Sequence, residues 1–171
     1  MGAFKILNEE HLLFQQLIAR LEHCFHYEEE EARAEFLRLC LVLLPALKRH
    51  EEIEDLIFRV PARRRHGGAA PLDLIEEQHR RLAALREELA VVVAAEHEHD
   101  FKRLKPLVLG FCEDLRAHFH SEESLLWPRY DQPGRRLEPA LDARARLQVR
   151  RLKRDIQRTW LASSDYVGQG R

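Results

Sequence analysis

Apolar residues recur every three or four positions along almost the whole chain, the spacing of amphipathic helices. One stripe runs His11, Phe14, Ile18, Leu21, Phe25, with Asn8 placed as an N-cap and Glu9 and Glu10 in the first turn. A second runs Phe36, Cys40, Leu43, Leu47, His50, Glu54, Ile57, and Pro45 within it is expected to bend the helix or remove one backbone bond. A third opens at Pro71, a good first-turn residue, and continues Leu72, Ile75, His79, Leu82, Leu85, Leu89, Val92. The fourth is Leu104, Leu107, Phe111, Leu115, His118, Glu122, Leu125. Residues 27–31 and 96–100 read as acidic turns, and 59–70 as a longer loop. Short links between long amphipathic helices favour antiparallel neighbours. The spacing therefore predicts an all-α fold, an up-down-up-down four-helix bundle over residues 1–132.

Residues 133–171 add a C-terminal helix and a frayed tail from Ser163. Leu141, Ala145, Val149, Leu152, Ile156 and Trp160 form its stripe, and Arg144, Arg146, Arg150, Arg151, Arg154 and Arg158 make its other face basic. That stripe must pack on the bundle or on a second subunit, so a homodimer through this helix is one expectation.

Composition narrows the class. With 45 % apolar and 33 % charged residues in 171, the chain can bury a core without staples. The net charge of −1 points to no nucleic-acid or membrane partner. The basic last helix, with nine Lys/Arg against three Asp/Glu over 133–160, is the one argument for nucleic acid, and such a face is usually just solvated. There is no apolar run long enough to span a bilayer and no secretory signal. Cys24, Cys40 and Cys112 lack C-x-x-C spacing and fall beside apolar positions, so they read as free buried thiols in a reducing cytoplasm.

The ten histidines carry the chemistry, through an internal repeat. His11 and His79 are 68 residues apart, and so are His50 and His118, and Glu54 and Glu122. The same offset carries Glu9 onto Glu77, Leu17 onto Leu85, Leu21 onto Leu89 and Leu47 onto Leu115. The chain reads as two duplicated helical hairpins, each bearing one His and then a His-x-x-x-Glu. In an antiparallel bundle these places share one end, and the i, i+4 spacing puts each His and Glu on one face. All six lie in the apolar stripes, where buried imidazoles and carboxylates must be paired, neutralised or bound to metal. A lone histidine on such a face is usually a satisfied core residue. Six repeat-matched groups converging on one layer point instead to a metal site. His23, His26, His66, His97 and His99 do not fit it, and His120 should face outward.

The set Glu10-His11-Leu12-Leu13, His50-Glu51-Glu52-Ile53-Glu54-Asp55, Gln78-His79-Arg80-Arg81-Leu82 and His118 through Pro128 resembles the hemerythrin-like family, the HHE cation-binding domain, over about residues 5–130. The resemblance implies a four-helix bundle around a non-haem di-iron centre. Glu54 and Glu122 would bridge the irons, with His11, His50, His79 and His118 as terminal ligands. Oxygen-carrying members have a His-x-x-x-His in the third helix, whereas Ile75 and Ala83 flank His79 here. They also place a carboxylate five residues after the fourth-helix His, which makes Glu123 a second-rank candidate beside Glu122, and Glu51 is a candidate extra ligand. Fewer ligands leave more open coordination, which favours reaction with a small oxidant (dioxygen, peroxide or nitric oxide) in stress handling. The alternative is a non-enzymatic iron, oxygen or redox sensor. Zinc or manganese are the alternative metals. The loop Arg63–His66, Trp127 and Tyr130 are candidates to surround the site.

Overall fold

The computed structural model describes residues 3–27, 29–59, 70–94, 101–130 and 139–167. No strand occurs among them. Helix α1 spans Ala3–His23 and ends in a 3-10 turn, Cys24–His26, which Tyr27 closes by donating its backbone N–H to the Cys24 carbonyl at 3.2 Å. Helix α2 spans Glu29–Glu54, α3 Ala70–Ala94 and α4 Phe101–Ser121. A π-helical turn follows α2 at Asp55–Arg59, and another follows α4 at Glu122–Leu126 before a last helical turn, Trp127–Tyr130. Helix α5 spans Pro139–Val167.

The first four helices pack in a closed ring, α1 on α2, α2 on α3, α3 on α4 and α4 on α1. Helix α5 lies along α1 and α2, so its stripe is covered by the bundle: Ala145, Val149, Leu152 and Ile156 are all buried. Part of its basic face meets acid on those helices, through Arg144 to Glu52 at 3.0 Å and Lys153 to Glu9. Both pairs are largely solvated and add little to stability.

Several local expectations give way to packing. Helix α1 begins before Asn8, because burial of Ile6 and Leu7 against Ile53, Ile57 and Trp127 outweighs a cap at residue 8. Glu29–Glu31 belong to the first turn of α2 and not to a connection. Pro45 sits exposed within α2, which continues past it. The inward stripe of α4 ends on Leu126, which is buried, and not on the exposed Leu125. The π-turn inserts one residue per turn, so the 3/4 spacing slips by one at that point. The helix of α5 continues past Ser163 to Val167. The links 60–69 and 96–100, and with them His66, His97 and His99, lie outside the described residues.

The core is in two parts. A large cluster holds Phe14, Phe36, Leu43, Phe111 and Leu152 among others. A smaller one holds Ile6, Leu7, Ile53, Phe58, Ile75 and Trp127. A layer of buried polar groups separates them: Glu10, His11, His50, Glu54, His118 and Glu122. Cys24, Cys40 and Cys112 are free and buried in the large cluster, where burial pushes the Cys24 and Cys112 thiols up to about 12 and keeps all three protonated and unreactive. No helix among the described residues is long and apolar enough to cross a membrane.

Leu152 is fully buried where α5 meets the bundle. Leu152→Ala should therefore lower stability by about 2–5 kcal/mol. Urea denaturation checks this, and a change below about 0.5 kcal/mol, typical of surface positions, would mean that α5 is not docked in solution.

Candidate metal centre

The polar layer forms because two hairpins deliver matching residues to one level. His11 and His79 lie about two turns into α1 and α3, while His50–Glu54 and His118–Glu122 close α2 and α4. With neighbouring helices antiparallel, the starts of α1 and α3 meet the ends of α2 and α4. All six predicted side chains come together. Five are at most 1 % exposed, and His79 is 12 % exposed.

The carboxylates lie between two imidazole pairs. Glu54 turns Oε1 to His50 Nε2 at 3.1 Å and to His11 Nε2 at 3.9 Å, and Oε2 to His79 Nε2 at 3.5 Å. Glu122 turns Oε2 to His11 Nε2 at 3.3 Å, and Oε1 to His118 Nε2 at 3.2 Å and His79 Nε2 at 3.8 Å. Two donor sets result: His11, His50, Glu54 and Glu122, and His79, His118, Glu54 and Glu122, with the ligating atoms of each within 4.8 Å of one another. Each carboxylate thus offers one oxygen to each set.

These groups do not satisfy one another. Both oxygens of Glu54 and of Glu122, and the Nε2 atoms of His79 and His118, are buried without an aligned hydrogen-bond partner. The Nε2 atoms of His11 and His50 face each other at 3.1 Å. Unmatched polar atoms at this depth are costly. A cation between them would accept every inward lone pair, so the residues fit a metal.

The outer ring nitrogens are held separately. His11 Nδ1 meets Glu123 Oε1 at 2.8 Å, His50 Nδ1 meets Glu10 Oε2 at 2.9 Å, and His118 Nδ1 meets Gln78 Oε1 at 3.3 Å. An outer N–H bonded in this way fixes the tautomer and leaves Nε2 as the inward donor. His11 is also clamped between two rings, Phe119 at 4.1 Å and Trp127 at 4.9 Å. The side chain of Tyr130 and the loop 63–66 lie outside the described residues.

Two second-rank candidates stand apart from both donor sets. Glu123 serves the outer nitrogen of His11, and Glu51 is paired with Arg86 at 2.6 Å. His120 is exposed, as are His23 and His26. The π-turn explains the choice between Glu122 and Glu123. It begins at Glu122, which stays one α-helical turn from His118 and points inward, while the next residue swings toward α1.

Sequence reasoning missed Glu10, Gln78 and Gln148. Glu10 and Gln78 occupy matching places in the repeat, each just before the first His of its hairpin, so the 68-residue offset held a signal for them. Gln148, which donates from Nε2 to Glu10 Oε1 at 2.6 Å, lies outside the repeat and gave none.

Protonation follows the same geometry. Burial opposes the charged form of His79, but the Glu122 and Glu54 carboxylates outweigh it and hold the imidazolium up to about 10. His50 and His11 are likewise raised against burial, the first by Glu54 and Glu10, the second by Glu122 and Glu123. For His118 burial wins, and it falls to about 4. Glu54 lies well below the usual carboxylate range, because His50 and His79 overcome its burial.

One family model matches the chain, that of the Hemerythrin HHE cation binding domain, over residues 3–130 and again over 70–169. The chain belongs to this family. The second match starts at the first residue of α3, where the second hairpin begins. No curated protein and no solved structure gives a significant match.

Metal ligands must be deprotonated. Metal uptake at pH 7 should therefore release protons from the layer, from His79 above all, and apparent affinity should climb with pH toward about 10, where His79 gives up its proton unaided. Calorimetry in buffers of differing ionisation enthalpy reads this directly. Heat independent of the buffer would show that the imidazoles are neutral before metal arrives.

Proposed function

We propose that the chain is a non-haem di-iron protein that binds or reacts with a small oxidant, dioxygen, hydrogen peroxide or nitric oxide, in oxidative or nitrosative stress handling. The observation that carries it is the division of each carboxylate between two imidazole pairs. One metal ion needs no such division, whereas two adjacent ions do. Glu54 and Glu122 would bridge them, with His11 and His50 on one and His79 and His118 on the other. This mixed imidazole and carboxylate set suits iron, with manganese an alternative. Zinc favours four ligands in a tetrahedron and has less use for two shared carboxylates.

When bound, a pair of irons supplies two electrons to a diatomic or peroxide ligand. The chain supplies the rest. Phe14 and Phe119 back the His11–His50 side and Trp127 covers His11, so water is excluded there. His79 is the least buried of the six. Beside it lies a pocket of about 10 Å³, lined by Glu54, Asp55, Phe58, Leu72, Ile75 and His79, with room for about one water-sized molecule. A small oxidant fits that approach better than an organic substrate does. Glu10, Glu123 and Gln78 keep the three imidazoles they touch oriented while a ligand comes and goes.

A second reading, a metal-dependent sensor, is favoured by the contact of α5 with the layer through Gln148 and Glu10. Turnover of peroxide or nitric oxide separates the two, because a sensor changes its spectrum without consuming the oxidant.

Anaerobic loading with Fe(II) should give about two irons per chain, and admission of oxygen should produce new near-ultraviolet absorption. Glu54→Ala and Glu122→Ala should each lose metal, whereas the exposed His120→Ala should keep it. One iron or none in the parent protein, or a site emptied by His120→Ala, would defeat the reading.

A further inference from the structure

We propose that Gln148 on α5 is a positioning residue for the metal centre, acting through Glu10 on His50, so that docking of α5 and occupancy of the His11–His50 position are linked. This rests on the two-metal reading above.

Among the described residues, the buried face of α5 is apolar except at two places, Gln148 and Thr159. Thr159 is satisfied within its own helix, donating to the Asp155 carbonyl at 2.9 Å. Gln148 instead reaches into the bundle. Its Nε2 donates to Glu10 Oε1 at 2.6 Å and, at 3.5 Å, lies at the limit of a bond to the Ala46 carbonyl. It stands level with the polar layer. On one side Ala145 and Val149 join the smaller apolar cluster, and on the other Leu152 and Ile156 join the larger. A leucine there would supply the apolar contact that its neighbours make and avoid desolvating a carboxamide, but it would leave Glu10 Oε1 unpaired. Apolar packing by itself therefore does not call for Gln148.

Glu10 does require it. This carboxylate is fully buried, with Oε2 on His50 Nδ1 and Oε1 in need of a donor. The duplicated hairpin supplies a comparison inside the same molecule. At the matching position Gln78 supports His118, and its Nε2 is held by Ser121 Oγ at 3.0 Å. The α3–α4 hairpin finds that support within itself. In the α1–α2 hairpin the supporting group is charged, and its second donor comes from α5. An imidazole N–H bonded to a carboxylate is held more firmly, and is the stronger metal ligand, than one bonded to an amide. His50 is thus braced by a three-residue relay whose last member sits on a helix that contributes no ligand. Linkage makes the effect reciprocal: whatever α5 docking adds to metal affinity, metal adds to α5 docking.

The test uses the full chain and Co(II), whose visible spectrum reports its ligands, titrated against a chromophoric chelator. Amide hydrogen exchange is followed across α5 with and without metal. Gln148→Leu should weaken one of two binding steps by about tenfold or more and leave the other in place. Metal should slow exchange in α5 of the parent protein, and Gln148→Leu should abolish that slowing. Gln148→Asn, which keeps the amide but shortens its reach, should weaken the same step, and it decides the matter if the leucine variant does not fold. Arg144→Ala breaks the solvated pair with Glu52 and should change neither readout. Equal weakening of both steps, no weakening, or the same effect from Arg144→Ala would overturn the inference and leave the two-metal centre standing. A parent protein that binds no Co(II) would overturn both.

Discussion

Everything in this fold answers to one constraint: a layer of imidazoles and carboxylates lies between two apolar clusters, out of reach of water. Such a layer is tolerable only when each inward lone pair meets a cation and each outward N–H meets an acceptor. The Glu54 and Glu122 carboxylates favour a proton on the imidazoles they face, most clearly on His79, whose imidazolium they hold up to about 10. The outward role falls to Glu123, Glu10 and Gln78. The rest of the bundle supplies rigidity. Rings of Phe14, Phe119 and Trp127 leave the imidazoles little freedom to turn away.

The two matching hairpins meet a geometric need of the proposed two-metal centre. There, two carboxylates would approach from different helices, each offering one oxygen to each position. Repeating a hairpin that ends in His-x-x-x-Glu does this with a single local design. The π-turns are part of that design, one starting directly after Glu54 and the other at Glu122. Each widens the helix where the carboxylate leaves it, and each sets the register of the apolar residues that follow. The halves then diverge. The α1–α2 half is sealed by α5 and supported by a charged group, and the α3–α4 half is supported by an amide and borders the pocket at His79. Membership of the HHE cation-binding family agrees with the shared design.

The six inward residues were legible in the sequence because helical periodicity and a fixed offset are both one-dimensional. A residue in an apolar stripe must face inward, and a duplicated stripe must put equivalent residues at one level. That reasoning located His11, His50, Glu54, His79, His118 and Glu122, the helical class and the outward His120. It stopped where the helix departs from its ideal period. Leu125 for Leu126 is the plain case, since a π-turn adds a residue that no spacing rule anticipates. It stopped again at Asn8, where a cap signal of about 1 kcal/mol met the burial of two large aliphatic side chains.

The residues around the centre were decided by the tertiary structure. Which atom Glu123 meets, whether Glu51 faces the site or Arg86, and where Gln148 reaches depend on which helices lie side by side and at what height. The sequence by itself determined which side chains are buried together, because burial follows from period. It left open which of their atoms point inward, because that depends on partners more than a hundred residues away, Glu123 accepting from His11 and Gln148 donating to Glu10. A hydrogen bond is directional and short, so only the packed arrangement of all five helices selects its partner.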